Sequence, residues 1–386
     1  MVKIRSSGKT AKTTKAILLG AAALVAHAQA ATIKRQLNVT DINQDVLRRN
    51  CAYFGWYLDD GNTLYGSQGE PQTLAEINAA VGKRAYSWGA YDHIEADHYV
   101  PGDPATYYNG SEILPYLQPA INAKDTIFVA SIAPVHGFDG FQANDTAQLD
   151  AMVGVIKQFV DGGVTVWLRF AHEFNWYYRR GSDDGDPTGR RSYHDPSPAH
   201  FITSWRSVYD TFKRELPTVQ HMWCANVGGM DEIRQFWPGE EYVDIVALDY
   251  YTELRAPQSQ YLYPDGLIKQ THDTFAVPYN KPFWMGETGT RTNSTASNLQ
   301  WIDTITSETT CASMPNYEGV MYFNYIKNYI NHYVAVPGGS AVTTQFAELF
   351  NATPGDAATL QAEVQAATPG GELAYNIDHM KKRIIG

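Results

Sequence analysis

Short apolar runs recur along the chain, each ending in polar or aromatic residues, and they alternate with stretches of helical periodicity. The runs are Ala52–Leu58, Arg84–Trp88, Thr126–Ala133, Val164–Phe170, His221–Ala225, Ile245–Leu248, Pro282–Gly286 and Gly319–Phe323. Their length and their β-branched and aromatic content predict buried strands. Between them, Leu74, Ile77 and Val81 recur at helical spacing, as do Ile113, Leu117 and Ile121, although Pro115 and Pro119 make that helix irregular. The clearest stripe is Leu149, Met152, Val153, Ile156, Phe159 and Val160, closed by Gly162-Gly163. Phe201 to Leu216 forms another, opened by Pro196-Ser197-Pro198, and Leu299, Ile302 and Ile305 a later one. Strands alternating with helices make parallel βαβ units, and this number of units in one chain predicts a (β/α)8 barrel. A doubly wound dinucleotide fold loses its best signal, because no GxGxxG follows the first strand.

The 386 residues show no internal repeat and no Pro/Gly/Ser linker that divides them. Residues 51–386 therefore read as one domain of class α/β, a TIM barrel with a C-terminal helical extension carrying helices near Thr344–Phe350 and Asp356–Ala367. Residues 1–30 read as a secretory signal: a basic start, the apolar run Ala16–Ala26, then small residues suited to cleavage. Residues 31–50 form an N-terminal segment, with a second processing site expected at Lys34-Arg35. Removing the leader takes the net charge from −11 to about −16. An acidic secreted protein is a poor partner for nucleic acid or anionic membrane. Five Asn-x-Ser/Thr triplets, at Asn38, Asn109, Asn144, Asn293 and Asn351, suit an extracellular glycoprotein. Of the three cysteines, Cys51 and Cys311 are candidates to pair, and Cys224 reads as a small buried hydrophobe. No His/Cys spacing resembles a zinc site, and Asp183, Asp184 and Asp186 read as a solvated loop rather than a calcium site. No metal or cofactor is expected.

Two strands end in carboxylates. VTVWLRFAHEFNW, Val164 to Trp176, places Trp167, Arg169, Ala171 and Glu173 in one alternating register. PFWMGETG, Pro282 to Gly289, delivers Glu287 into an expected Gly-Glu-Thr-Gly turn. In a barrel, functional residues gather at the C-terminal ends of strands. Two carboxylates there are the minimal equipment for glycoside hydrolysis, one protonated to serve the leaving oxygen and the other ionised to attack the anomeric carbon. The aromatic neighbours of Glu173 suit a desolvated acid/base, and the donors around Glu287 suit a nucleophile. Arg169 is expected to orient the nucleophile. Trp205 is expected to pack its helix on the barrel. For Trp56, Tyr57, Trp88 and Tyr91, stacking on sugar and packing the core remain equally open.

Five motifs in order, Arg169 to Tyr177 (RFAHEFNWY), Ser204-Trp205-Arg206, Pro238 to Asp244 (PGEEYVD), Leu248-Asp249-Tyr250 and Lys281 to Gly289 (KPFWMGETG), resemble glycoside hydrolase family 26, the β-mannanase-like group of a retaining barrel clan. The resemblance covers roughly residues 50 to 330. It implies an acid/base after strand four and a nucleophile on strand seven, which fall on Glu173 and Glu287. It also implies that His172 touches sugar, with Asn175 and Trp176 in the same subsite. Tyr250 or Tyr251 then hydrogen-bonds the nucleophile, and His136 makes a further substrate contact. The family usually reads His-Glu-Met-Asn-Gly, so Phe174 and Trp176 are departures; Tyr325 is the best substitute for its aromatic platform on strand eight. Implied is a monomeric hydrolase of β-linked polysaccharide, β-1,4-mannan first. The alternatives are a β-1,3 or mixed-linkage glucan or a xylan as substrate, or a catalytically silent carbohydrate-binding barrel.

Overall fold

The structure, a computed structural model, describes residues 46–63, 66–94, 99–135, 137–180, 197–252 and 266–351. The chain divides into two compact units, 1–46 and 47–386; apart from Val46, the described residues belong to the second. The expected signal sequence, the dibasic pair, Asn38, the Asp183–Asp186 loop and the helix near Asp356–Ala367 all lie outside the described residues.

The second unit is a closed barrel of parallel strands: β1 (Ala52–Leu58), β2 (Ser87–His93), β3 (Ile127–Ala133), β4 (Val166–Phe170), β5 (Gln220–Asn226), β6 (Ile245–Thr252), β7 (Phe283–Thr290) and β8 (Tyr317–Asn324). Each pairs with the next, and β8 returns to β1 from Tyr53 opposite Gly319 to Leu58 opposite Asn324. The expected (β/α)8 barrel is therefore found. Alternation along each strand separates two apolar layers. Tyr57, Val129, Trp167, Met222, Cys224, Ala247, Trp284 and Met321 fill the interior. Phe54, Trp56, Trp88, Phe128, Leu168 and Trp223 face the surrounding helices.

Local chemistry sets the helices. In α1 (Leu74–Val81), the Thr73 side chain accepts from the Glu76 backbone and the Glu76 carboxylate accepts from the Thr73 backbone; Gly82, at φ 79°, ends the helix. In α2 (Ala147–Asp161), Leu149, Met152, Val155, Ile156 and Phe159 form the buried stripe. α3 (Phe174–Arg180) follows β4, and α4 (Pro198–Glu215) starts on the Ser197 cap. Trp205 of α4 is buried and donates to the Tyr242 carbonyl at 2.8 Å, so it packs the helix as expected. α5 (Thr295–Ile305) and α6 (Ala341–Leu349) complete the helices that matter here. A disulfide joins Cys51 to Cys311, and Cys224 is a buried thiol.

Two strands depart from the sequence expectation, and both departures shape the site. β2 begins at Ser87 rather than Arg84 and runs past Trp88 to His93, so Tyr91 lies within the strand. Its polar end is stable because Asp92, buried, accepts from the Tyr108 hydroxyl at 2.6 Å. β7 does not stop at Gly286, so Glu287 lies in a strand and not in a turn. Against β6, Leu248 pairs Met285 while Asp249 pairs Glu287, which leaves Gly286 as the extra residue of a β-bulge. Simple alternation from inward-facing Trp284 would turn Glu287 outward; the bulge shifts the phase and turns it in. Only glycine fits the bulge, since a Cβ at 286 would sit 2.3 Å from Cys224 Sγ and 2.8 Å from Asp249 Oδ1.

Gly286→Ala is expected to destabilise the fold by about 1–3 kcal/mol through overpacking. Gly154→Ala, at an exposed position of α2 with open space around it, is expected to stabilise it by about 0.5–1 kcal/mol. Urea denaturation of the two variants checks the contrast.

Candidate active site

The site is built around Arg169, which points from β4 into the barrel two residues after Trp167. Its side chain is fully buried and forms an ion pair with the equally buried Asp249 of β6. Nη1 also donates to Ser131 Oγ at 3.3 Å and to the Tyr57 hydroxyl at 3.4 Å, and Tyr57 and Ser131 are themselves joined at 2.7 Å. Burial opposes the charge on Arg169, but the Asp249 carboxylate overrides it and holds the guanidinium pKa well above its ordinary value. The Cys224 thiol donates to the other Asp249 oxygen at 2.9 Å.

Glu287, delivered by the bulge, lies beside this pair with its side chain 12% exposed. Its Oε1 accepts from the Tyr251 hydroxyl at 2.6 Å and its Oε2 from the Tyr91 hydroxyl at 2.5 Å. Both guanidinium nitrogens of Arg169 approach Oε2 at 3.5 Å. Burial, reinforced by the Glu287 charge, raises the pKa of both tyrosines well above the usual phenol value, so they remain donors.

Glu173 comes from the turn between β4 and α3. Ala171 and Glu173 both have left-handed backbones, at φ 48° and 55°, which is costly for residues with a side chain. The turn is held from β5: the Glu173 N–H donates to the Cys224 carbonyl at 2.9 Å. The Asn175 amide donates to the Asn226 carbonyl at 2.8 Å and accepts from the Asn226 N–H at 2.9 Å. Asn226 in turn donates from Nδ2 to Glu173 Oε1 at 2.5 Å. Burial, then the charge of Glu287, pushes the Glu173 pKa up to about 7; Arg169 and the Asn226 hydrogen bond oppose the rise. His172, buried and facing the charge of Arg169, has its pKa lowered well below the usual imidazole value and is neutral.

The structure brings Arg169, His172, Glu173, Tyr251 and Glu287 together. Tyr325 is buried at the end of β8, stacked on Phe323 at 4.2 Å with its edge to Tyr91 at 6.5 Å. Trp176 is half-buried in the first turn of α3. Tyr250 is a correction: strand alternation turns it outward, where it packs on Trp301 of α5 at 5.7 Å, and of the two neighbours it is Tyr251 that reaches Glu287. Asn175 is a second correction, because it is fully buried and both ends of its amide hold the backbone of Asn226, not the cleft. Phe174 likewise turns away from the cleft, packing on Phe201, Trp223 and Phe236. His136 lies outside the described residues. Of the four aromatics left open, Trp56 and Trp88 are core, Tyr57 supports Arg169, and Tyr91 holds Glu287.

Asp249, Asn226 and Ser131 are site residues to which sequence reasoning gave no role, Asp249 entering only within the Leu248-Asp249-Tyr250 motif. A signal existed for the first two, since each is a polar residue closing an apolar strand. Ser131, inside FVASIA, gave none. Among the described residues, no cluster of His, Cys, Asp and Glu could hold a metal ion, and no helix is long and apolar enough to cross a membrane.

A parallel eightfold barrel with an acid side chain beyond its fourth strand and another on its seventh defines a class, the barrels equipped for paired-carboxylate chemistry. Within that class, residues 139–274 match the sequence model of Glycosyl hydrolase family 26, a span that contains four of the five motifs and ends before Lys281 to Gly289. A mannan endo-1,4-beta-mannosidase A and B of Caldalkalibacillus mannanilyticus is 31% identical over 146 residues, which are 36% of this chain and 25% of that protein. The chain thus matches about a quarter of the length of that curated relative. Among solved structures, a Bacillus subtilis mannanase has 15% identity and a TM-score of 0.50, covering 80% of this chain and 87% of that one. A modular endo-beta-1,4-mannanase from Cellulomonas fimi has 17% identity and a TM-score of 0.53, covering 78% and 71%. At these identities the structures show a shared fold.

Asp249→Ala leaves the Arg169 guanidinium buried beside a hole. It is expected to cost about 3–5 kcal/mol, whereas Asp161→Ala, which breaks the exposed pair with Lys157, is expected to cost about 0.5 kcal/mol or less. Chemical denaturation of both variants measures the difference.

Proposed function

We propose that the protein is a retaining glycoside hydrolase that cleaves β-linked polysaccharide, with β-1,4-mannan the first candidate substrate. The observation that carries this reading is the pair Glu173 and Glu287, two neighbouring carboxyl groups in opposite surroundings. Glu287 is met by two phenols and a guanidinium, as suits an anion. Glu173 is half-buried, loses solvation in the site, feels the Glu287 charge, and keeps its proton up to about pH 7. Split environments of this kind assign the two roles of the double displacement.

In the first step a Glu287 oxygen attacks the anomeric carbon. The bond from that carbon to the leaving oxygen breaks as Glu173 gives its proton to that oxygen, and a glycosyl ester of Glu287 results. In the second step Glu173, now a carboxylate, takes a proton from water. The water oxygen bonds to the anomeric carbon, the ester bond breaks, and Glu287 is freed. Two inversions leave the configuration unchanged. Tyr91, Tyr251 and Arg169 fix the attacking carboxylate and spread its charge. Asn226 orients Glu173, with Asn175 holding Asn226.

Mannan stands first because the protein matched in sequence and the two barrels matched in fold are described as mannanases. The basic and apolar leader supports secretion, with residues 1–30 removed. Of the five glycosylation triplets, the asparagines at 109, 144, 293 and 351 are exposed, which supports their use in a host that glycosylates.

Reducing-sugar release on linear mannan, galactomannan, β-glucans and xylan tests the reading. Activity on one polymer, lost by about a thousandfold or more in Glu287→Ala, is the expected result; activity that survives the mutation refutes the assignment. The acid must carry its proton, so kcat/KM is expected to fall as pH rises through about 7. Asn226→Ala removes a hydrogen bond that favours the charged form of Glu173, and is therefore expected to move this limb to higher pH while lowering the maximum. A pH–rate profile of the two proteins decides it.

A further inference from the structure

Beyond β8 the chain makes a two-residue hairpin in which Ile326 pairs Asn331 and Lys327 pairs Ile330. Its base borders the carboxylates. The charge of Lys327 acts on both Glu173 and His172, and its ammonium lies over the Phe323 ring at 5.6 Å. His332, just past the hairpin, packs on Tyr251 at 5.6 Å. The hairpin is fastened on two sides. The Ile326 N–H donates to Asp59 Oδ2 at 2.9 Å, the Gln68 N–H to the Ile326 carbonyl at 2.8 Å, and the Asn331 N–H to Asn293 Oδ1 at 2.8 Å. Asp59 is itself buried and tied to Ser67 and Tyr333.

The tip is Asn328-Tyr329, both left-handed, at φ 53° and 62°. A two-residue turn of this kind favours Asn-Gly, because a side chain at the second position is strained. Here that position holds a tyrosine whose N–H is clamped by Gln68 Oε1 at 2.7 Å. The tyrosine is 83% exposed, the most exposed large hydrophobic residue among those described. A strained backbone thus holds an aromatic ring out in water, a position with no benefit to folding. Only Asn328 separates it from Lys327, so its Cα lies within about 7 Å of the Lys327 Cα.

We propose that Tyr329 is a substrate platform, stacking on a sugar ring of a polysaccharide chain that extends outward from the two carboxylates. A planar ring with a hydroxyl edge suits the apolar face of a pyranose and its flanking hydroxyls. The proposal rests on the reading of the site as polysaccharide-cleaving, and names the element that binds the chain beyond the bond being cut.

The test uses wild-type protein and Tyr329→Trp, Tyr329→Ala and Tyr329→Gly, measuring affinity for linear β-1,4-mannan, galactomannan, β-glucans and xylan, and kcat/KM on the polymer and on a short aryl glycoside. Ala and Gly are expected to weaken polymer binding about tenfold, with a smaller loss on the short substrate, and Trp to retain it. Gly is also expected to raise the melting temperature, because it relieves the backbone while removing the ring. A Gly variant that melts higher yet binds and cleaves polymer like wild type overturns the platform and leaves the catalytic reading intact. Wild-type protein that binds polymer without cleaving it overturns the catalytic reading, and the variants' affinities still decide the platform. Wild-type protein that binds none of the polymers overturns both.

Discussion

A single fully buried cation faces three carboxyl groups at the mouth of the barrel. Among the described residues Arg169 is the only lysine or arginine in the buried set, and Asp249, Glu287 and Glu173 all sense its charge. In a site of low dielectric, three anions around one buried cation are poorly balanced, and the neighbours decide which group keeps a proton. Asp249 lies against the guanidinium itself. Glu287 has two phenols and the guanidinium edge. Glu173 has the Asn226 amide and the more distant charge of Lys327, and burial with the Glu287 charge drives it toward neutrality; burial also raises the Asp249 pKa well above the ordinary carboxylate value, against the pull of Arg169. The division of labour between acid and nucleophile follows from this electrostatic shortage.

Backbone irregularities make the arrangement possible. Regular strands would leave Glu287 facing the helices and Glu173 beyond the strand end. The Gly286 bulge corrects the first, and the left-handed turn at Ala171 and Glu173 corrects the second. Both act against local preference and are held by neighbours: Cys224 and Asp249 crowd the bulge, and β5 grips the turn through the Cys224 carbonyl and the Asn175–Asn226 amide pair. β5 supplies no reacting group, yet it aligns both carboxylates. Strain gathered at a site and compensated by its frame is the usual mark of function over stability.

Much of this was legible in the sequence. Apolar runs alternating with helical stripes gave the barrel, the polar ends of strands four and seven gave both carboxylates, and Cys51 with Cys311 gave the disulfide. What stayed hidden depends on register. No residue pattern announces a bulge, so GETG looked like a turn. Tyr250 and Tyr251 are equivalent until strand pairing turns one of them outward. Asn175 follows the acid in sequence and looked like a sugar ligand, but the helix turns it back toward β5, whereas Asn226, far off in sequence, arrives beside Glu173. Tyr91 was obscured because β2 extends further than its apolar run. Local composition fixes which residues exist near the mouth; pairing across strands fixes what each one touches.

The most direct test of the account is a carboxyl-carbon NMR titration of Glu173 in the wild-type protein and in Glu287→Gln. With the Glu287 charge present, Glu173 is expected to titrate at about 7; with it removed, the midpoint is expected to move down, while burial keeps it above the ordinary glutamate range. A Glu173 that titrates like a solvent-exposed glutamate, or whose midpoint ignores the loss of Glu287, would contradict the account, because the two carboxyl groups would not then be sharing one electrostatic site.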